Sequence, residues 1–174
     1  GLVGSEMCIR DRNAEIMNGQ IPGFTHLYTG QEANAVGVCA HLDKNDTIIS
    51  THRGHGHCIA KGAEVSGMMK ELFGSSEGLC KGKGGSMHVA DIDKGILGAN
   101  GIVAGGPPIS VGSALAAKIR KNGKVAVSFS GDGSVNKGTC FAEMNMAVVL
   151  QAPSVFVIEN NYYSEHTSIN YAVG

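Results

Sequence analysis

Three observations predict an α/β fold built on a doubly wound, parallel sheet. Short, uninterrupted apolar runs recur at 46–51, 125–130 and 154–159, as expected for strands buried on both faces. Segments with 3–4 spacing of apolar residues separate them, so strands and helices alternate along the chain. The residues best suited to hold charge or metal come directly after these runs, and open α/β sheets bind their ligands at the carboxyl ends of strands.

Taken in order, "NAEIMNGQIPG" reads as the end of a helix, closed by Gly19 and Pro22. "GQEANAVGVCAHL" (30–42) places Ala33, Val36, Gly37 and Ala40 on one stripe and predicts a helix with small residues for close packing. "DTIIST" (46–51) is a buried strand that delivers the histidine-rich loop "HRGHGHC" at its carboxyl end. "AEVSGMMKELF" (63–73) is a helix by its spacing. The stretch 74–106 is too rich in glycine for regular elements and reads as one long functional loop, mobile until a ligand and a partner order it. After Pro107 and Pro108, "ISVGSALAAKIRKNG" resumes helical periodicity, with basic residues in its last turn and Gly123 beyond. "KVAVSFSG" is a buried strand, "KGTCFAEMNMAVVLQ" a helix and "PSVFVIEN" a second buried strand.

The two ends read differently. "GLVGSEMCIRDR" lacks the charged-then-apolar order of a signal peptide and shows no helical periodicity. Residues 1–12 are therefore read as a non-native leader, resembling translated adapter sequence. "YAVG" ends without a helix stop signal, so 13–174 reads as part of a domain truncated at both ends.

Composition narrows the class. The 174 residues suffice for one domain with a real core, and 43% are hydrophobic. Net charge is −1 with no basic run, which argues against nucleic acid and anionic membranes as partners. No apolar run approaches the ~18 residues that span a bilayer. The five cysteines are odd in number and never spaced C-x-x-C, which opposes a disulfide framework or zinc ribbon and fits a reduced, cytoplasmic setting.

The chemistry-bearing stretches follow from this layout. "GDGSVNKG" ends the strand at 125–130 and "ENNYY" the strand at 154–159, placing Asp132 and Asn161 at neighbouring strand ends. Both offer hard oxygen ligands suited to Mg²⁺ shared with a phosphate-bearing ligand. Gly133 and Ser134 stand before a helix and can present N–H groups to phosphate oxygens. An ordinary Asp-Gly turn is the bland alternative. Asn136 stands where a dinucleotide fingerprint needs its third glycine, and "GLCKGKGGS" lacks the spacing of a P-loop. His52, His55, His57 and Cys58 follow one another too closely for a tetrahedral zinc site.

"GDG" at 131–133 and "NN" at 160–161, with Asp132 and Asn161 29 positions apart, resemble the thiamine-diphosphate motif. "GFTHLYTGQEANAVG", "GKGGSMH", "GANGIVAGG", "FAEMNMA" and "VFVIENNYY" are similar, in order, to the alpha subunits of 2-oxo acid dehydrogenases. Within that group, "THRGHGHCIAKG" and the 78–108 stretch look most like acetoin dehydrogenase alpha subunits.

The resemblance implies a thiamine-diphosphate-binding fold and assigns roles residue by residue. Asp132, the Asn161 side chain and the Tyr163 carbonyl would hold Mg²⁺. Gly133 and Ser134 would meet the diphosphate through backbone N–H groups, and Gly101 and Val103 the aminopyrimidine through their backbones. In pyruvate-type relatives "THR" is usually "TYR"; Arg53 would pair with diphosphate oxygens, and His52 would donate a hydrogen bond to phosphate. His26 matches a family histidine near the thiazolium ring. His55 and His57 shape either the substrate channel or only their loop, His88 could be structural or functional, and Cys58 reads as a small buried residue. The implied reaction cleaves acetoin to acetaldehyde and leaves a hydroxyethyl group for a lipoyl acyltransferase. The implied partner is a beta subunit, in an α2β2 assembly. The alternatives are the same chemistry on pyruvate or a branched 2-oxo acid, or a non-catalytic Mg²⁺–diphosphate binding module.

Overall fold

A computed structural model describes residues 14–21 and 23–172. The leader assigned to residues 1–12 and the stop assigned to Pro22 lie outside the described residues. After a helical turn at 14–17, the chain forms α1 (Glu32–Cys39), β1 (Thr47–Thr51), α2 (His55–Lys61), α3 (Val65–Leu72) and β2 (Ile96–Asn100). It continues through α4 (Gly106–Arg120), β3 (Ala126–Gly131), α5 (Gly138–Val149) and β4 (Ser154–Glu159). A hairpin of β5 (Tyr163–Ser164) and β6 (Thr167–Ser168) precedes the short α6 (Ile169–Ala172).

The four long strands form one sheet in the order β2-β1-β3-β4, and every pairing is parallel. Side chains alternate across it. Ile48, Val127 and Phe129 point to one face and pack with Cys39 of α1, Cys58 of α2, and Met68 and Leu72 of α3. α4 crosses the other face, where Thr47 Oγ1 lies 2.8 Å from Ser113 Oγ and Ser110 Oγ 3.1 Å from Ser154 Oγ. With helices on both faces, the sheet is doubly wound, as the strand–helix alternation predicts. Each fully buried large side chain here stabilises by about 1.5–3 kcal/mol. Among the described residues no helix is long and apolar enough to cross a membrane.

Four expectations need correction. α1 buries Glu32, Ala35 and Cys39, while Ala33, Gly37 and Ala40 are exposed. Its small residues are apolar nearly all round, so periodicity does not choose a face; packing does, with Ala35 clustered with Tyr28 and Cys39 in the main core. The histidine-rich stretch is a helix from His55 onward, not a loop, and ends on Gly62 in the left-handed region (φ 95°). The segment 74–106 contains β2, which pairs with β1 at the sheet edge with Ile96 and Ala99 buried. β4 is not fully buried: it is the other edge, and Val155 and Ile158 remain exposed.

The glycine-rich stretch ahead of β2 is fastened at one point. Glu71, wholly buried at the end of α3, accepts from Cys80 N (2.7 Å) and Gly82 N (2.8 Å) on one oxygen. Its other oxygen accepts from Gly84 N (2.7 Å) and Gly85 N (3.2 Å). A side chain at Gly78 would strike the Glu71 backbone, its Cβ falling 2.5 Å from Glu71 Cα. Burial opposes ionisation of Glu71, but the four N–H donors outweigh it and hold the carboxyl below the usual range.

A depressed carboxyl pKa contributes stability above its unfolded value, and that contribution is lost as pH falls through the folded one. Glu71→Gln turns an amide group toward backbone donors and should destabilise the full-length protein by about 2–3 kcal/mol at neutral pH. Urea unfolding should show the gap to wild type closing in acid, as pH falls through the depressed value at which the wild-type carboxylate protonates. A pH-independent gap would mean that the charge of Glu71 does not hold this segment.

Candidate functional site

The chain leaves β1 toward the α2–α3 face and leaves β3 toward the α4–α5 face. Where neighbouring strands diverge in this way, a crevice opens at their carboxyl ends. Here it is a cleft of about 360 Å³, walled by the ends of all four sheet strands. All ten residues assigned from sequence line it: His26, His52, Arg53, Gly101, Val103, Asp132, Gly133, Ser134, Asn161 and Tyr163.

Each strand end is shaped locally. Beyond β1, the Arg53 N–H reaches Thr51 Oγ1 at 3.3 Å and the guanidinium donates to the Leu27 carbonyl. Burial disfavours the charged form of Arg53, while the Glu159 carboxylate acts in the opposite sense. His52 meets His26 edge-on, with ring centroids 4.5 Å apart. Burial first, then the neighbouring His26 and Arg53, push the His52 imidazole down to about 4.

Beyond β3, Asp132 begins a 3₁₀ turn, Asp132–Asn136, and Ser134 Oγ donates to the Gly131 carbonyl at 2.6 Å. Gly133 must be glycine there, because a Cβ would fall 2.4 Å from Ser164 Oγ in the β5–β6 hairpin. Beyond β4, Asn161 Oδ1 accepts from the Tyr163 N–H at 3.0 Å, which fixes the amide in the cleft wall. Beyond β2, Asn100 Oδ1 accepts from the Ile102 N–H at 2.8 Å, and Ala104 takes the left-handed region (φ 62°) just before α4. This tight turn presents the backbone of Gly101 and Val103.

Beneath the cleft lies a buried polar cluster of which the sequence reading missed the key members. Tyr28, His57 and Glu159 are all shielded from solvent. The Tyr28 hydroxyl donates to Glu159 and lies 3.0 Å from His57 Nε2, and the Tyr28 N–H reaches His55 Nε2 at 3.2 Å. Burial, reinforced by Glu159, pushes the Tyr28 phenol up, so the proton stays on tyrosine. Burial also opposes ionisation of Glu159, yet hydrogen bonds from His57, Tyr28 and Asn34 outweigh it and hold its carboxyl low. Gly56 lets the tyrosine in, since a Cβ there would stand 2.0 Å from Tyr28 Cδ1.

His55 and His57 therefore sit in the core below the site rather than along a channel. An acidic residue closing the otherwise apolar "SVFVIE" was the available signal for Glu159. Cys58 is wholly buried; Lys81 and Lys83 are exposed, and neither they nor His88 line the cleft. Among the described residues no group of three or more His, Cys, Asp or Glu could hold a metal. The assigned set, with one carboxylate, one amide and one carbonyl, is of a different kind.

The dehydrogenase E1 component family model matches residues 3–173. The alpha subunit of acetoin:2,6-dichlorophenolindophenol oxidoreductase from Bacillus subtilis is 61% identical over 154 residues, covering 88% of this chain and 46% of the relative. Its counterpart from Cupriavidus necator is 56% identical over 153 residues, with the same coverage. The pyruvate dehydrogenase E1 component subunit alpha of Zymomonas mobilis is 44% identical over 155 residues, covering 88% of this chain and 44% of the relative. The chain thus spans about half the length of the curated relatives it matches.

The His52 environment makes a prediction. With the folded value depressed to about 4 from 6.5, the unfolded chain binds the extra proton between those pH values, so stability falls as pH drops through that window. NMR titration should show His52 neutral at pH 6 with a midpoint near 4, and His52→Gln should flatten that part of the stability profile. A midpoint near 6.5 would show the imidazole to be freely solvated.

Proposed function

The chain belongs to the dehydrogenase E1 component family, and from that membership we propose that it is the diphosphate- and Mg²⁺-binding part of a thiamine-diphosphate-dependent alpha subunit acting on acetoin. The observation that carries this reading is that Arg53, Asp132 and Asn161, from three different strand ends, share one cleft. The acetoin assignment is favoured by 61% and 56% identity to acetoin-oxidising alpha subunits, against 44% to a pyruvate dehydrogenase one.

The donor chemistry fits such a cofactor. Asp132, the Asn161 side-chain oxygen and the Tyr163 carbonyl are hard oxygen donors suited to Mg²⁺, which takes few protein ligands and shares the rest with phosphate. Arg53 spends one N–H on Leu27 and, among the described residues, pairs with no carboxylate, so its other donors remain for a diphosphate. Neutral His52 adds a hydrogen bond rather than a charge. Gly133 and Ser134 bring backbone N–H groups to the same anion. Gly101 and Val103 would hold the aminopyrimidine from the tight turn before α4, and His26 would stand beside the thiazolium ring. Bound thiamine diphosphate supplies the carbanion chemistry needed to cleave a carbon–carbon bond next to a carbonyl. Arg53 and the cation ligands would hold that cofactor by its charged end.

The proposed partners are a beta subunit, in an α2β2 assembly, and a lipoyl acyltransferase that accepts the two-carbon product; the proposed location is the cytoplasm. Turnover by the assembled full-length protein of acetoin, but not pyruvate, with 2,6-dichlorophenolindophenol as acceptor tests the substrate. Preference for pyruvate would favour the decarboxylating alternative, and binding of cofactor without turnover of either would favour a non-catalytic module.

Two substitutions test the site. Asp132→Ala removes the only anionic protein ligand proposed for Mg²⁺ and should abolish Mg²⁺-dependent thiamine-diphosphate binding by calorimetry while the fold survives. Arg53→Lys replaces a planar fork by a point charge and should weaken binding by about 10-fold, roughly one charge-assisted hydrogen bond. Unchanged affinity in either variant would remove that residue from the site.

A further inference from the structure

His57 is a buried imidazole to which the proposed cofactor contacts give no task. Its Nδ1 lies 2.7 Å from Ser50 Oγ on β1, and its Nε2 lies 3.3 Å from Glu159 Oε1 on β4. These strands are not neighbours, because β3 runs between them. The ring crosses that strand flat on Phe129, with centroids 3.8 Å apart and planes 30° apart. Tyr28, two residues after His26, closes the cluster through its hydroxyl on both His57 and Glu159.

Donor roles follow from the partners. The Tyr28 proton points to Glu159, so Nε2 faces only acceptors and must carry hydrogen, while Nδ1 pairs with the Ser50 hydroxyl. With both nitrogens engaged and the ring stacked, the imidazole has one orientation available.

We infer that His57 is a positioning residue of the cleft: by bridging β1 to β4 across Phe129 and engaging Tyr28, it sets the spacing between the segments 26–28, 50–53 and 159–163. Those segments carry His26, His52 with Arg53, and Asn161 with Tyr163. The anion-binding arginine and one wall of the cation site are thus locked to each other by a group that touches neither ligand. The inference rests on the diphosphate–Mg²⁺ reading and deepens it. Buried partners that orient ligand-binding groups from behind typically change affinity or activity by about 10- to 100-fold when removed.

The test uses full-length protein assembled with its partner subunit, with Mg²⁺–pyrophosphate as the probe. His57→Leu keeps the volume and loses the hydrogen bonds to Ser50, Glu159 and Tyr28; it should weaken Mg²⁺–pyrophosphate binding about 10- to 100-fold. It should also speed amide exchange at 26–31, 50–53 and 159–163 together, leaving 65–72 unchanged. His57→Gln, which keeps a donor and an acceptor, should recover part of the affinity. Leu72→Ala, in the core away from the cleft, should lower stability to urea without lowering affinity. If His57→Leu does not fold, Ser50→Ala, which frees only the β1 end, should give a milder form of the same pattern. Affinity within twofold of wild type, an unchanged exchange pattern, or an equal affinity loss in Leu72→Ala would each overturn the proposal. If wild type itself fails to bind Mg²⁺–pyrophosphate, the cofactor reading fails. The exchange pattern then decides the bridge: joint acceleration of the three segments supports it, and its absence overturns it.

Discussion

Strands β1 and β3 lie side by side, yet the chain leaves them toward opposite faces of the sheet. No element can cover both strand ends at once, so the polar backbone there borders a crevice instead of a packed interior. The rest of the molecule is arranged around that constraint. The apolar cluster of α1–α3 closes one face and α4 the other, and every residue assigned a ligand role sits on the rim between them. The site therefore does not depend on one motif. It depends on the order of strands, which brings positions as distant as His26 and Asn161 to a common wall.

Two buried carboxylates then decide how firmly the rim is held. Taking a carboxylate out of water is unfavourable unless hydrogen-bond donors replace the water. Glu71 finds four backbone N–H groups, all from the glycine-rich stretch, and so converts a segment of high conformational entropy into an ordered one. Glu159 finds Tyr28 and His57, and so ties the end of β4 to the stretch before α1 and, through His57, to β1. One carboxylate orders the approach to the cleft and the other its floor.

The electrostatics of the cleft follow from the same burial. Arg53 and His52 are both partly desolvated, and they respond differently. The imidazole gives up its proton, whereas the guanidinium keeps its charge because its ordinary value lies far above neutral pH. The cleft thus presents one fixed positive charge beside a neutral donor, with the Asp132 carboxylate on the adjacent strand end. That combination suits an anion and a divalent cation bound together better than either alone.

Much of this was readable from residue order. Alternating apolar runs and helical spacing define the parallel sheet, because a strand buried on both faces must be apolar throughout and its connection must cross the sheet. The short motifs "GDG", "NN" and "THR" locate the strand ends, since polar residues directly after a buried strand have nowhere to go but the ligand-binding edge. What the sequence left open depended on partners far along the chain. The face buried by α1, the strand hidden at Ile96–Asn100 and the helix at His55–Lys61 were each set by neighbours, because near-uniform small residues and glycines carry no periodicity to read. Glu71, Tyr28, His57 and Glu159 looked like ordinary polar residues on helices, a loop and a strand end. Their roles arise from hydrogen bonds spanning up to 131 positions, and only packing brings such distant groups within 3 Å or so of one another.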